Sequence, residues 1–304
     1  MKPVGFIGLG NMGGRMTACL TRSGASVVGF DTRLELAAAL GAEPAAMPRE
    51  VAERADIVLM SLPDSTVVEA VMNGDAGVLA GCRAGQVVVD LSTADPASTR
   101  RLHGLLADRG VDYLDAGISG GAAAAEKGAL TLMVGGTVSA LDAVRPTLEA
   151  FSSKIFHVGE SGSGHATKLL NNFLNAVSLA ATAEVMVAAK KAGLDLATVL
   201  EVLNASSGVN FATLNRFPRI IEGDYLEGGL TNTLMMKDVT LYAGYVSQLG
   251  VASLNSAGPL ASFGLARGLG YADRISNTVV DAIGDISGGV RVADQSTTED
   301  EEQS

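Results

Sequence analysis

Lys168 and Asn172 stand four residues apart at the head of a long helical pattern, in Gly162-Ser163-Gly164-His165-Ala166-Thr167-Lys168-Leu169-Leu170-Asn171-Asn172. At that spacing both side chains leave one face of a helix, about one turn from each other. On a face turned into a cleft between domains, an amine and an amide can bind a hydroxyl, share its proton and fix its orientation. The same pair also makes an ordinary helix surface, and the spacing alone does not separate the two readings. A second constellation lies in Val4-Gly5-Phe6-Ile7-Gly8-Leu9-Gly10-Asn11-Met12-Gly13-Gly14-Arg15-Met16. Here an apolar strand breaks into Gly8, Gly10 and Gly13 at G-x-G-x-x-G spacing and then turns helical. Gly8 permits the sharp turn, Gly10 lets a pyrophosphate approach the backbone, and Gly13 lets helix and strand pack closely. N–H groups at the helix start then face an anion. Asp31 ends a second apolar run eighteen residues beyond Gly13, where a carboxylate accepts the ribose hydroxyls of an adenosine. A bound dinucleotide follows as the working premise.

Strand-like and helix-like segments alternate through the first half, the signature of a parallel sheet with helices on both faces. The apolar runs at 4–7, 26–30, 57–62, 87–92, 113–119, 130–134 and 155–158 read as strands. Ligands of an open α/β sheet sit outside the carboxyl ends of its strands, so the loops at Pro63, Thr93 and Gly120-Gly121 should converge on one cofactor and its reacting partner. After the glycine and serine cluster at 159–164, a helical pattern runs from His165 to about Ala192 and strands become scarce. The expected fold is α/β, with an N-terminal Rossmann-type doubly wound domain over 1–161 followed by an all-α domain over 162–290. The stretch 291–304 reads as a disordered acidic tail.

Composition narrows the function. A net charge of −11 opposes an extended nucleic-acid surface, while leaving room for a small anionic ligand held by a few local lysines. Cys19 and Cys82 form no C-x-x-C pair and only three histidines are present, so two buried thiols in a reducing compartment are expected, with no disulfide and no metal. Met1 leads straight into the first strand, which leaves no room for a signal or transit peptide and points to the cytoplasm. The apolar stretch 173–189 carries Asn175, Ser178, Thr182 and Glu184 and fits a buried helix better than a membrane span.

Several separated motifs together resemble the β-hydroxyacid dehydrogenase family, which includes 3-hydroxyisobutyrate dehydrogenase and tartronate semialdehyde reductase. Phe6 to Gly13 is similar to its cofactor signature, Asp115-Ala116-Gly117-Ile118-Ser119-Gly120-Gly121 to its substrate loop, Lys168 to Asn172 to its catalytic helix start, and Lys237-Asp238 to a fourth motif. The resemblance implies hydride transfer between a nicotinamide and a short β-hydroxyacid or its semialdehyde. It makes Lys168 the acid/base and Asn172 its partner on the substrate. It also makes Ser119, Gly120 and Gly121 the donors to the substrate carboxylate. Gly8, Leu9, Gly10, Asn11, Met12, Gly13, Asp31, Arg33, Leu62, Pro63 and Thr93 would line the cofactor, and Lys237 would close onto it. Gly117-Ile118 stands where the family commonly has Pro-Val, which bears on the pocket's shape.

Asp31 repels a 2′-phosphate and favours NAD, while Arg33 keeps NADP open. Free lysine titrates at about 10.4, so alkaline conditions should favour oxidation unless the cleft lowers that value. The alanine-rich helix from His165 exceeds what one small domain needs and suggests a homodimer or homotetramer. Two other readings stay open. Imine reduction on the same scaffold goes with loss of the lysine, and a non-catalytic dinucleotide sensor or scaffold needs the cofactor site alone.

Overall fold

The computed structural model describes residues 2–293; of the stretch 291–304 read as a tail, 294–304 lie outside the described residues, whereas Val292 is buried and Arg291 pairs with Asp285. Two compact units meet in sequence between Leu169 and Leu170. In the first, strands and helices alternate as β1 (Val4–Ile7), α1 (Asn11–Arg22), β2 (Val27–Phe30), α2 (Glu35–Ala39), β3 (Glu43–Pro44), α3 (Pro48–Arg54), β4 (Ile57–Met60), α4 (Ser65–Met72), α5 (Val78–Gly81) and β5 (Val87–Asp90). There follow α6 (Pro96–Ala107), β6 (Asp112–Ser119), α7 (Gly121–Glu126), β7 (Leu130–Gly135), α8 (Val138–Leu148) and β8 (Ser152–Gly159).

The sheet order is β3-β2-β1-β4-β5-β6-β7-β8, so the chain reverses direction across the sheet at β1. The crevice at the carboxyl end of β1 is therefore where a ligand belongs. The strands are short apolar runs because both faces are covered. Phe6, Leu59, Val89 and Leu114 pack on one face with Met16 and Leu20 of α1. Ile7, Val58, Met60 and Val88 pack on the other with Val51, Val68 and Leu102. Side chains of neighbouring residues in a strand point to opposite faces, so pairs such as Phe6 and Ile7 serve both layers.

The parallel arrangement read from the alternation holds from β1 to β6, but β7 runs antiparallel to β6. Residues 120–129, the link between them, hold only the short α7. A parallel crossover takes about a dozen residues or more, so the chain turns back on itself instead. β8, reached through α8, is again parallel to its neighbour β7. β3 was not legible, being two exposed residues without an apolar run. Of the cysteines, Cys19 is buried as expected, whereas Cys82 is half-buried; both are free thiols.

The helix α9 (Ser163–Lys191) carries the chain from the first unit into the second, which continues with α10 (Leu196–Asn204), α11 (Phe211–Asn215), α12 (Phe217–Ile220), α13 (Asn232–Gln248), α14 (Ala257–Ala266) and α15 (Val279–Ile286). By length and composition α9 is apolar enough to cross a membrane, yet 56% of its apolar window is buried in the protein. Ala176, Leu179, Ala183 and Met186 recur at helical spacing and pack with Phe217, Met235, Val239 and Phe263. Phe173 stacks on Tyr242 with ring centroids 3.7 Å apart, which gives that tyrosine a packing role.

Candidate active site

The turn between β1 and α1 separates its glycines by function. A Cβ on Gly8, whose φ is +88°, would lie 2.3 Å from the Ser61 carbonyl oxygen, and one on Gly13 would lie 1.8 Å from that of Gly8. Both positions are closed by backbone. Gly10 is open: a Cβ there would meet nothing nearer than the Arg33 guanidinium at 3.8 Å. It stands at the N-cap of α1 and has no side chain to occupy the first-turn N–H groups. An open approach to a helix start is what a pyrophosphate requires. This cradle fits a dinucleotide.

Asp31 ends β2 and turns back on the same loop. Its Oδ2 accepts the Leu9 N–H at 2.8 Å and its Oδ1 the Arg33 N–H at 3.0 Å, with the Arg33 Nε 3.5 Å away. Burial works against its charge, but these N–H groups and the Arg33 cation hold the carboxyl below the usual range. Asp31 thus stays ionised and braces the glycine turn, a second duty invisible in the spacing. Its carboxylate oxygens offer about four lone-pair sites, so capacity for ribose hydroxyls remains.

The loops after β4 and β5 are tied together. Ser92 Oγ accepts the Leu62 N–H at 2.9 Å, Asp90 Oδ1 accepts the Ser92 N–H at 3.0 Å, and Ser65 Oγ accepts the Asp95 N–H at 2.7 Å. Leu62, Pro63 and Thr93 therefore lie on braced loops at neighbouring strand ends. The Tyr113 hydroxyl donates to Asp90 Oδ2 at 3.0 Å. Burial and the Asp90 charge push that phenol well above its ordinary pKa, so it remains a donor.

At the end of β6, Ser119 is half-buried, and Gly120 and Gly121 are exposed with φ of +126° and +68°. A backbone of that shape favours glycine and presents N–H groups without side-chain cover. Two residues earlier, a Cβ on Gly117 would lie 2.5 Å from the Cβ of Lys168. The missing side chain at 117 thus lets the start of α9 lie directly on β6, which brings Lys168 against the strand that leads into the Ser119 loop. A Cβ on Gly164 would come within 2.3 Å of the Asp115 carbonyl oxygen and 2.4 Å of that of Met133. The glycine cluster read as a domain junction is a close-packed seat for the helix start.

Asp115 and His165 lock that seat. The Asp115 carboxylate accepts the Gly162 N–H at 2.7 Å and the His165 N–H at 2.8 Å, satisfying donors that a helix start leaves unpaired and placing negative charge at its positive end. The buried His165 ring bridges the Thr99 hydroxyl at 2.7 Å and the Asp90 carbonyl oxygen at 3.2 Å. His157 makes a local bond to the Gly136 carbonyl oxygen at 2.7 Å, and Asp64 caps α4. Asp115→Asn turns one acceptor into a donor facing an N–H group. It should cost about 1–3 kcal/mol of stability in urea titration and lower kcat about tenfold through a displaced α9. Wild-type kcat in the variant would remove Asp115 from the positioning of Lys168.

In the second unit, Asn172 is 1% exposed and its Nδ2 donates to Asp238 Oδ2 at 2.5 Å. The Lys237 ammonium pairs with Asp238 Oδ1 at 3.1 Å. A carboxylate only accepts, so Asp238 fixes which end of the Asn172 amide faces it. Asp238 thereby joins the two predicted residues Asn172 and Lys237, although the sequence reading gave it no role. Its adjacency to Lys237 was the available signal.

The two halves of the chain match two family models. Residues 3–159 match the NAD binding domain of 6-phosphogluconate dehydrogenase, and residues 162–276 the NAD-binding domain of NADP-dependent 3-hydroxyisobutyrate dehydrogenase. The 2-(hydroxymethyl)glutarate dehydrogenase of Eubacterium barkeri is 37% identical over 275 residues, covering 89% of this chain and 91% of that protein. The NAD-dependent L-serine dehydrogenase of Pseudomonas aeruginosa is 38% identical over 276 residues, covering 88% and 91%. A Mycobacterium tuberculosis 3-hydroxyisobutyrate dehydrogenase solved with L-serine superposes with a TM-score of 0.82 at 31% identity, covering 92% of this chain and 98% of that one. A glycine cradle, a doubly wound sheet with a helical second half and relatives along nearly the whole length lead to one conclusion: the chain belongs to the β-hydroxyacid dehydrogenase family and is an NAD(P)-dependent oxidoreductase.

Proposed function

We propose that the chain transfers hydride between NAD and a short β-hydroxyacid, with Lys168 moving the hydroxyl proton. The observation that carries this reading is Gly117. Its bare backbone seats the Lys168 stem on the strand that ends in Ser119-Gly120-Gly121, so amine and carboxylate donors belong to one packed assembly. Ser119 and the two glycine N–H groups hold the substrate carboxylate, where glycine allows close approach. The relatives named above support the class. Hydroxyisobutyrate, serine and (hydroxymethyl)glutarate each carry a hydroxymethyl group beside a carboxylate-bearing carbon.

When bound, the nicotinamide supplies the acceptor or donor of the hydride. For oxidation, neutral Lys168 takes the hydroxyl proton as the carbon–hydrogen bond breaks; for reduction, its ammonium returns that proton to the forming alkoxide. Asn172, its amide turned by Asp238, orients the same hydroxyl. Gly8, Leu9, Gly10, Asn11, Met12 and Gly13 cradle the dinucleotide, Leu62, Pro63 and Thr93 flank its nicotinamide end, and Lys237 closes on it. Asp31, ionised and adjacent to the turn, favours the ribose of NAD over a 2′-phosphate, while Arg33 beside it is the cation that would serve NADP.

We further read 1–161 as the dinucleotide module and 162–290 as the module for substrate and subunit contacts. Leu170, Leu174 and Val185 are exposed along α9, a stripe that suits a homodimer or homotetramer. Two free thiols fit a reducing cytoplasm. The test is reduced-nicotinamide absorbance at alkaline pH with NAD and NADP in parallel and the three hydroxyacids above. Reduction of NAD by at least one of them, more efficient than with NADP, is expected. Silence across the panel despite dinucleotide binding would overturn the assignment of substrate class.

A further inference from the structure

Arg216, between α11 and α12, is a half-buried guanidinium that pairs with no carboxylate among the described residues. Its Nη1 donates to Asn277 Oδ1 at 2.7 Å and its Nη2 to Asn175 Oδ1 at 3.0 Å. The Phe211 ring, itself 58% exposed, lies with its centroid 5.7 Å from the guanidinium carbon, within cation–π range. Partial burial, with no opposing charge among the described residues, lowers the Arg216 pKa to about 10. Tying two amide oxygens together needs only a neutral donor, whereas a cation taken from water without a counter-charge is costly. The two bonds engage two of five guanidinium N–H groups, so donor capacity remains.

Its place along α9 is equally informative. Lys168, Asn172 and Asn175 recur at i, i+4 and i+7, which is one face of a helix. Asn175 lies one turn beyond Asn172, about 4.5 Å along the axis, and Arg216 is bound to its amide oxygen. A fixed cation therefore stands one turn along α9 from the amide that orients the substrate hydroxyl.

We propose that Arg216 binds a second anionic group of the substrate, so that this enzyme prefers β-hydroxyacids carrying a further carboxylate on the substituted carbon. The inference rests on the hydroxyacid reading above and narrows it. A carboxylate two methylenes from that carbon supplies the missing counter-charge in a charge-assisted pair. A methyl substituent leaves the guanidinium uncompensated, and an ammonium repels it.

The experiment compares kcat/KM for 2-(hydroxymethyl)glutarate and 3-hydroxyisobutyrate in the wild type, Arg216→Gln and Arg216→Lys. The wild type should favour the dicarboxylate. Arg216→Gln keeps a donor toward the amides and loses the charge, and it should reduce the ratio of the two values by about 100-fold, mainly through KM for the dicarboxylate. Arg216→Lys keeps the charge and should recover part of that ratio. Equal losses on both substrates, or a wild type that prefers the monocarboxylate, would overturn the role of Arg216 while leaving the hydroxyacid reading intact. Turnover of neither substrate by the wild type would overturn both.

Discussion

Lys168→Ala should lower kcat by about 1,000-fold while the dissociation constant for NAD moves by less than about threefold. General acid/base groups contribute on the order of 10²–10⁴, and a thousandfold corresponds to about 4 kcal/mol of transition-state stabilisation. Alanine keeps the Cβ that packs on Gly117 and is the best helix former, so the seat of α9 survives the change. What is lost is the amine. Stopped-flow absorbance for turnover and fluorescence titration for NAD separate the two quantities. Small primary amines added to the variant should restore part of the rate. Near-normal turnover in the variant would show that another group carries the proton.

The second large effect divides two glycines of one motif. Gly13→Ala places a Cβ 1.8 Å from the Gly8 carbonyl oxygen and 3.1 Å from the Phe6 ring, with no flexible neighbour to yield at the closer contact. A loss of about 3 kcal/mol of stability follows, visible in urea titration without any ligand. Gly10→Ala meets only the end of Arg33 at 3.8 Å, and φ there is −70°, which alanine adopts without strain. Stability should change by no more than about 1 kcal/mol, yet KM for NAD should rise about 30-fold or more, because the methyl group occupies the space through which the pyrophosphate nears the backbone. A Gly10→Ala protein that binds NAD normally would place the dinucleotide elsewhere.

The contrast between these glycines marks how far the sequence can be read. The strand, turn and helix at residues 4–22, the acidic residue after β2 and the loops at the ends of β4, β5 and β6 are local patterns. Chain order alone places them at one edge of a doubly wound sheet. Contacts between distant segments leave no such periodicity. Asp115 holds the head of α9 across 47 and 50 residues, Asn172 meets Asp238 across 66, and Arg216 reaches Asn175 and Asn277 across 41 and 61. The departure at Gly117 was visible as a departure, but its consequence, room for the Lys168 stem, depends on how β6 and α9 pack. The reversal at β7 followed from a connection too short for a crossover, a length that becomes evident only once the end of β6 is fixed at Ser119.

Direct transfer of hydrogen from substrate to nicotinamide is the claim on which the whole account turns. The decisive measurement uses 2-(hydroxymethyl)glutarate or 3-hydroxyisobutyrate deuterated at the hydroxyl-bearing carbon, with the reduced nicotinamide analysed by mass spectrometry and proton resonance. One deuterium per turnover is expected at the nicotinamide ring, on a single face, and none formed with Lys168→Ala beyond the residual rate. Reduced nicotinamide that carries only solvent hydrogen, or label spread over both faces, would contradict direct hydride transfer between the two bound partners.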